Sequence, residues 1–471
     1  MVHLMARTLI ADGTVVTASD TFRADVWIDG ERVVALTEPS QRAALGVADR
    51  TIDAAGRYVL PGGVDVHTHL ELPFPGGFTS DDFATGTVAA AHGGTTTIID
   101  FAIQDRARSL AASLDTWHAK AEPKVAIDYG LHMILTQADA ATLDGMAAMV
   151  GEGVTSFKMF MAYPGVYLAD DQQIFRALLR AGELGALVTM HAEIGLPIDV
   201  LIERARAAGH TAPIHHALTR PEVAEATGTE RALALAELAG VPIYIVHLSA
   251  QRALARVAEA RDRGQPAFAE TCPQYLVLTE DALRGAADDP QGGAGFVCTP
   301  PLRPAHHRDH LWRGLRNYDL QCVATDHCPF CVKDKAVGRD DFAKIPNGLP
   351  GIETRMYLLW EGVAAGQLSL NRLVEVSATA PAKIFGLYPK KGTIAVGSDA
   401  DLVVWDPTRV KTLDHDQLHM RVDYSPYAGR TIVGGPSHVL SRGELIVADD
   451  RWVAPRQAGR GRFVRRGTFG L

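Results

Sequence analysis

Positive charge is in short supply in this chain: 46 lysines and arginines stand against 55 aspartates and glutamates, a formal net charge of −9. Attraction to nucleic-acid phosphates needs a concentrated basic surface, so no nucleic-acid partner is expected. The one basic cluster is terminal, Arg456, Arg460, Arg462, Arg465 and Arg466, and it reads as a tail lying on a neighbouring acidic surface. Cysteine is scarcer still. Five residues (Cys272, Cys298, Cys322, Cys328 and Cys331) are too few and too scattered in 471 for a disulfide framework. Cys328-Pro329-Phe330-Cys331 has the spacing of a zinc knuckle but lacks a second cysteine pair, which leaves reduced thiols near a strand end. No apolar run approaches the ~20 residues needed to cross a bilayer. Met1 to Thr17 has neither the apolar core nor the cleavage site of a secretory leader. No membrane partner and a cytoplasmic location are the expectation.

Apolar residues are plentiful, at 47% against 21% charged, which removes the disordered and fibrous classes. Both ends of the chain are strand-rich with tight turns: Thr8-Leu9-Ile10, Val15-Val16-Thr17, Asp25-Val26-Trp27-Ile28 and Val33-Val34-Ala35 at one end, and Ala400–Trp405, Thr431–Val433 and Glu444–Val447 at the other. Between them, apolar runs near 64–68, 95–102, 127–135, 155–161, 186–191, 241–247, 266–271 and 321–325 alternate with helical stretches such as Asp82–His92 and Asp171–Leu184. Parallel strands need crossover helices, and an eighth strand closes the ring. The expected fold is α/β: a (β/α)8 TIM-like barrel over residues 57–385, with a small β-sandwich domain built from both termini, residues 1–56 and 386–450. A tail, 451–471, is expected at a subunit interface. The Gly- and Pro-rich stretch from Asp281 to Tyr318 reads as a long substrate-facing loop.

Barrel enzymes carry their chemistry at the C-terminal ends of the strands. Six residues fall there: His67 and His69 on the first run, Lys158 on the fourth, His191 on the fifth, His247 on the sixth and Asp326 after the eighth. His67 and His69 are alternate residues of one strand and point to one face, so both imidazoles reach a single metal. His191 and His247 offer neutral imidazoles to a second metal, and Asp326 offers a carboxylate to the first. Lys158 lies within the apolar run Ser156-Phe157-Lys158-Met159-Phe160-Met161, where desolvation lowers its pKa and leaves an amine able to add carbon dioxide. An ammonium beside two divalent ions would repel them, whereas a carbamate bridges them. The expectation is therefore a carboxylated Lys158 spanning two metals. Zinc suits these ligands, with manganese or cobalt also admitted.

Metal ions of this kind lower the pKa of bound water and polarise a carbonyl, which suits hydrolysis of an unreactive amide. Asp326 is the expected proton carrier from water to departing nitrogen. Tyr163, five residues past Lys158, reads either as a donor to the developing oxyanion or as a packed aromatic at a loop start. His327 is expected to point away from the site. The pairs His215-His216 and His306-His307 read as solvated loop residues.

Pro61-Gly62-Gly63-Val64-Asp65-Val66-His67-Thr68-His69, Ser156 to Tyr163, Thr299-Pro300-Pro301-Leu302-Arg303, Asn347-Gly348-Leu349-Pro350-Gly351-Ile352-Glu353 and Gly459-Arg460-Gly461-Arg462-Phe463 together resemble the hydantoinase/dihydropyrimidinase family of cyclic amidohydrolases. The resemblance covers nearly the whole chain. It implies two zinc ions per subunit with a carboxylated lysine, opening of a small cyclic ureide to an N-carbamoyl amino acid, and a homotetramer, with a dimer as the alternative. By that similarity Tyr163 contacts the substrate, Thr299 and Asn347 hold its NH and C=O groups, and Phe74, Phe160 and Tyr167 shape the pocket for the ring substituent. Thr299 stands where the family commonly has serine, and the stretch Glu71 to Gly77 carries one proline more than the common pattern.

Related enzymes acting on dihydroorotate or allantoin carry an arginine where this chain has Glu71, so acidic substrates are disfavoured by the resemblance. Hydrolysis of cyclic imides or of allantoin by the same site is the alternative activity. A non-catalytic scaffold of the same fold is a further reading, set aside because scaffold relatives lack the metal ligands and all six are present here. No phosphate-binding glycine loop is found.

Overall fold

The computed structural model of the chain describes residues 7–74, 77–285 and 292–469. Eight parallel strands follow in register order: Gly63–Thr68, Thr95–Ile103, Asp128–Ile134, Ser156–Phe160, Leu187–His191, Ile243–Ile245, Ala267–Thr271 and Cys322–Val323. The segment after the eighth strand returns to the first through a Thr68–His327 bridge and a His69 N–H bond to His327 O (2.9 Å), which closes the ring. The strands are buried almost from end to end, as a parallel sheet covered on both faces requires. Their crossovers include helices started by side-chain caps: Asp82 before Phe83–His92, and Asp170 before Asp171–Glu183.

A separate mixed sheet joins the two chain ends. Arg7–Val16, Thr21–Asp29 and Arg32–Thr37 pair antiparallel, and Tyr58–Pro61 links them to Leu402–Thr412, Thr431–Ser441, Glu444–Ala448 and Arg451–Trp452. Ile10, Val15, Val26 and Ile28 from the N-terminal side and Leu402, Val404 and Leu440 from the C-terminal side share one core. The fold class read from the sequence is the one found.

Two expectations need correction. The stretch from Asp281 to Tyr318 is not a loop throughout: His306–Arg316 is a helix of the barrel wall, while residues 286–291 lie outside those described. The basic tail does not simply lie on acidic surface. Arg460, Arg462 and Arg465 do pair with Glu444, Glu31 and Glu152. Arg466, however, is buried beneath the barrel with no carboxylate partner among the described residues, and donates to Leu131 O (2.6 Å) and Ser156 Oγ (2.8 Å). Phe463 and Val464 run beside Tyr129 at the base of the third barrel strand, so the tail packs on its own barrel.

Candidate active site

The C-terminal ends of the barrel strands bring all six expected ligand residues together, each no more than 8% exposed. His67 Nε2 lies 2.9 Å from Lys158 Nζ and 3.1 Å from Asp326 Oδ1, and His69 Nε2 is 3.3 Å from the same oxygen. On the other side, His191 Nδ1 faces His247 Nε2 at 2.9 Å. Four imidazoles, one carboxylate and one amine thus converge where little solvent reaches. His67, His69 and Asp326 each place a ligand atom within 4.8 Å of the others. Nitrogens this close share a proton as a hydrogen bond or, once deprotonated, turn their lone pairs to a common cation. The donor set fits a pair of divalent metal ions.

The electrostatics follow from burial. Desolvation drives the Lys158 pKa down to about 8 against the pull of Asp326 and Glu270, so a share of the amine is neutral near physiological pH. Its Nζ sits 4.2 Å over the Phe101 ring rather than on a carboxylate. Burial pushes Asp326 up, but the charge of His67 and the hydrogen bonds from His67 and His69 outweigh it and hold the carboxyl well below its ordinary value. Burial lowers His69 to about 3 and takes His247 well below its usual value, which keeps both imidazoles neutral as ligands must be. Tyr163 is raised by burial and stays a neutral phenol able to donate.

Backbone strain is concentrated here. Tyr163 (φ 62°), His247 (φ 40°) and Asp326 (φ 50°) all occupy the left-handed region that side chains avoid, and the surrounding structure holds them there. Tyr163 is fixed because its carbonyl accepts from Val166 N, Tyr167 N and Leu168 N. Phe160 stacks on Tyr167 (4.9 Å) and His191 (5.4 Å), forming an aromatic wall with Tyr163. Phe74 meets Phe330 edge-on at 4.8 Å. Its hairpin partner strand is Gly77–Phe78, and residues 75 and 76, within the stretch that carries one proline more, lie outside the described residues. Thr299 is buried and faces the Tyr163 phenol, and Asn347 is half-buried on the neighbouring loop.

Several groups that serve this site carry no role in the sequence reading. Glu270, at the end of the seventh strand, binds His67 Nδ1 and also accepts from His247 N (3.1 Å) and Tyr244 Oη (2.9 Å). Glu193 Oε2 holds His191 Nε2 at 3.0 Å. Such carboxylates fix the tautomer and ring orientation of metal-binding histidines. Asp100 accepts from Thr68 Oγ1 (2.7 Å) and Leu70 N (2.9 Å), pinning the strand end that carries His67 and His69. The strand-end criterion that selects the six ligands also selects Glu270.

Two histidines expected in solvent are buried instead. His216, on the helix Ile214–Leu218, binds Cys298 O (2.9 Å) and Thr299 Oγ1 (3.1 Å) through Nε2, and so anchors a residue expected to hold substrate. His307 Nδ1 accepts from Gln251 N at 3.0 Å. In both pairs the helix turns one member inward and leaves its neighbour outward. His327 points away from the site, as expected, toward Asp81 (3.1 Å). Glu71 Oε1 accepts from Lys124 Nζ at 2.5 Å.

The amidohydrolase family model matches residues 58–446. Over 467 residues the chain is 52% identical to a D-hydantoinase of Streptomyces coelicolor, with 99% of each chain covered. It is 46% identical over 465 residues to a D-hydantoinase of Geobacillus stearothermophilus, covering 98% of this chain and 97% of the relative. Among solved structures, the dihydropyrimidinase from Brevibacillus agri superposes with a TM-score of 0.95 at 50% identity, over 99% of this chain and 100% of that one. The L-hydantoinase from Arthrobacter aurescens gives 0.89 at 30% identity, over 98% and 100%.

Proposed function

Because this chain belongs to the amidohydrolase family, we propose that it is a cyclic amidohydrolase that opens 5-substituted hydantoins, and dihydropyrimidines more slowly, to N-carbamoyl amino acids. The observation that carries this reading is the convergence of His67, His69, Lys158, His191, His247 and Asp326 on one buried point. His67, His69 and Asp326 would hold one zinc ion, and His191 and His247 the other, with Lys158 as a carbamate between them. Bound there, the two ions would supply polarisation of the amide carbonyl and activation of water.

The protein's own groups do the rest. Asp326, kept ionised, accepts a proton from the attacking water and delivers it to the ring nitrogen as the C–N bond breaks. The neutral Tyr163 phenol donates to the carbonyl oxygen as charge builds on it. Thr299 and Asn347 orient the ureide, and the wall of Phe160, Tyr167 and Phe74 receives an apolar or aromatic ring substituent. Relatives named D-hydantoinase at 52% and 46% identity favour the D enantiomer. Domain limits of 57–385 for the barrel, 1–56 with 386–450 for the β domain and 451–471 for the tail, a cytoplasmic homotetramer, and a tail that also reaches a neighbouring subunit complete the proposal.

The deciding experiment sets purified enzyme, grown with zinc and bicarbonate, against both hands of a 5-aryl hydantoin, dihydrouracil, allantoin and succinimide. The D-aryl hydantoin is expected to be the fastest substrate; faster turnover of allantoin or succinimide would overturn the assignment. Lys158→Ala is expected to lose both metals and turnover, with partial recovery in short carboxylic acids. Full metal content in that variant would remove the bridging role.

A further inference from the structure

We propose that His92, His419 and Asp450 form an additional metal site, for a borderline divalent ion such as zinc, at the seam between the barrel and the β domain. His92 ends the barrel helix Phe83–His92, His419 follows the turn His415–Gln417, and Asp450 lies in the turn between Glu444–Ala448 and Arg451–Trp452. One ligand atom from each lies within 4.8 Å of the others. The two imidazoles lie face to face, centroids 3.4 Å apart at 14°, so both rings are held at the same point of the seam and one must turn for both lone pairs to meet a single ion.

His92 supplies the independent observation. It is only 3% exposed, its Nδ1 has no hydrogen-bond partner, and Asp450 Oδ1 is 3.7 Å away, too far for a hydrogen bond and open enough for an ion to enter. A buried unpaired ring nitrogen is unfavourable unless something meets it.

The surroundings are prepared in the manner of a metal centre. His419 Nδ1 is held by Glu353 Oε1 at 2.9 Å and the His419 N–H by Glu353 Oε2 at 2.5 Å, so the ring is oriented by a carboxylate and presents Nε2. Lys411 takes Asp450 Oδ2 at 2.7 Å and leaves Oδ1 for a ligand bond. Two imidazoles and one carboxylate, with His419 and Asp450 partly open to solvent, match zinc, nickel, cobalt or copper better than magnesium or calcium. No residue of this cluster belongs to the catalytic group. The ion would clip the end of a barrel helix to the β domain.

Zinc content of the holoenzyme after equilibrium dialysis against micromolar zinc tests this directly, alongside His92→Ala and Asp450→Asn. The native protein is expected to retain one zinc equivalent more per subunit than either variant, and only its thermal midpoint is expected to rise with added zinc. Hydantoin turnover is expected to be alike in all three. Equal zinc content in the native protein and both variants, or a zinc-induced rise that survives in the variants, would overturn the site. His92→Gln, close in shape, replaces His92→Ala should the smaller side chain fail to fold.

Discussion

Lys335 is a lysine with no solvent. It ends the short helix Val332–Lys335, is fully buried, and donates to three main-chain oxygens: Val297 (2.8 Å), Pro346 (2.7 Å) and Gly348 (2.8 Å). The first precedes Thr299 by two residues, and the other two flank Asn347. One ammonium therefore ties together the two loops proposed to grip the ureide. Burial lowers its pKa to about 7, so its full set of donors weakens on the alkaline side. Lys335→Met keeps the length and removes every donor. It is expected to raise KM for a hydantoin several-fold more than it lowers kcat, and to cost about 2–4 kcal/mol of stability by leaving carbonyls unmet. Steady-state kinetics with urea melts check both, and a fall in kcat at unchanged KM would show that loop placement is not what Lys335 supplies. Nothing in Val332-Lys333-Asp334-Lys335 distinguishes the buried lysine from its neighbours, because its burial depends on chain returning from 297 and 346. Lys158 was legible for the opposite reason: an isolated lysine inside an apolar strand has few places to put its charge.

At the scale of elements, helix Glu222–Ala239 approaches the site so closely that glycine is required at one point. A Cβ at Gly228 would stand 2.5 Å from Ala192 O, 2.6 Å from Ala192 C and 2.9 Å from Glu193 N, all backbone atoms that cannot swing aside. These atoms join His191 to the carboxylate that orients it. Gly228→Ala is expected to destabilise the fold by about 1–3 kcal/mol and to loosen the Glu193–His191 hydrogen bond, lowering zinc retention and kcat together. Metal analysis beside a thermal melt checks this, and a variant that melts lower yet keeps full metal and kcat would separate packing from the site. The barrel strands were legible because each is a continuous apolar run, the pattern of strands buried on both faces. Helix His306–Arg316 was not, since the glycines and prolines before it and the charge along it mask a one-sided buried face of His307, Leu311, Trp312 and Leu315.

Across the whole molecule, barrel, β domain and tail meet at a buried knot of charge. Lys391 Nζ contacts Asp128 (2.7 Å), Asp399 (2.9 Å) and Asp401 (2.6 Å). Asp128 opens the third barrel strand, whereas Asp399 and Asp401 lead into the β domain. Arg442 adds a second cation on Asp128, binds Asp401 Oδ1 through its backbone N–H (2.7 Å), and reaches Arg460 O of the tail at 2.8 Å. That both termini build one β domain was readable from their strand-rich composition. How that domain docks was not, because the partners are polar residues far apart in sequence with no periodicity to relate them. Lys391→Met is expected to destabilise the protein by about 3–5 kcal/mol, since it leaves three buried carboxylates with only Arg442 on Asp128 and the half-exposed Arg32 on Asp399 to meet them. Asp399→Asn should cost much less, because it removes one of three like charges while Lys391 keeps two partners. Thermal and urea midpoints of the two variants distinguish the cases. A Lys391→Met protein no less stable than Asp399→Asn would mean that apolar packing, rather than this knot, fixes the β domain on the barrel.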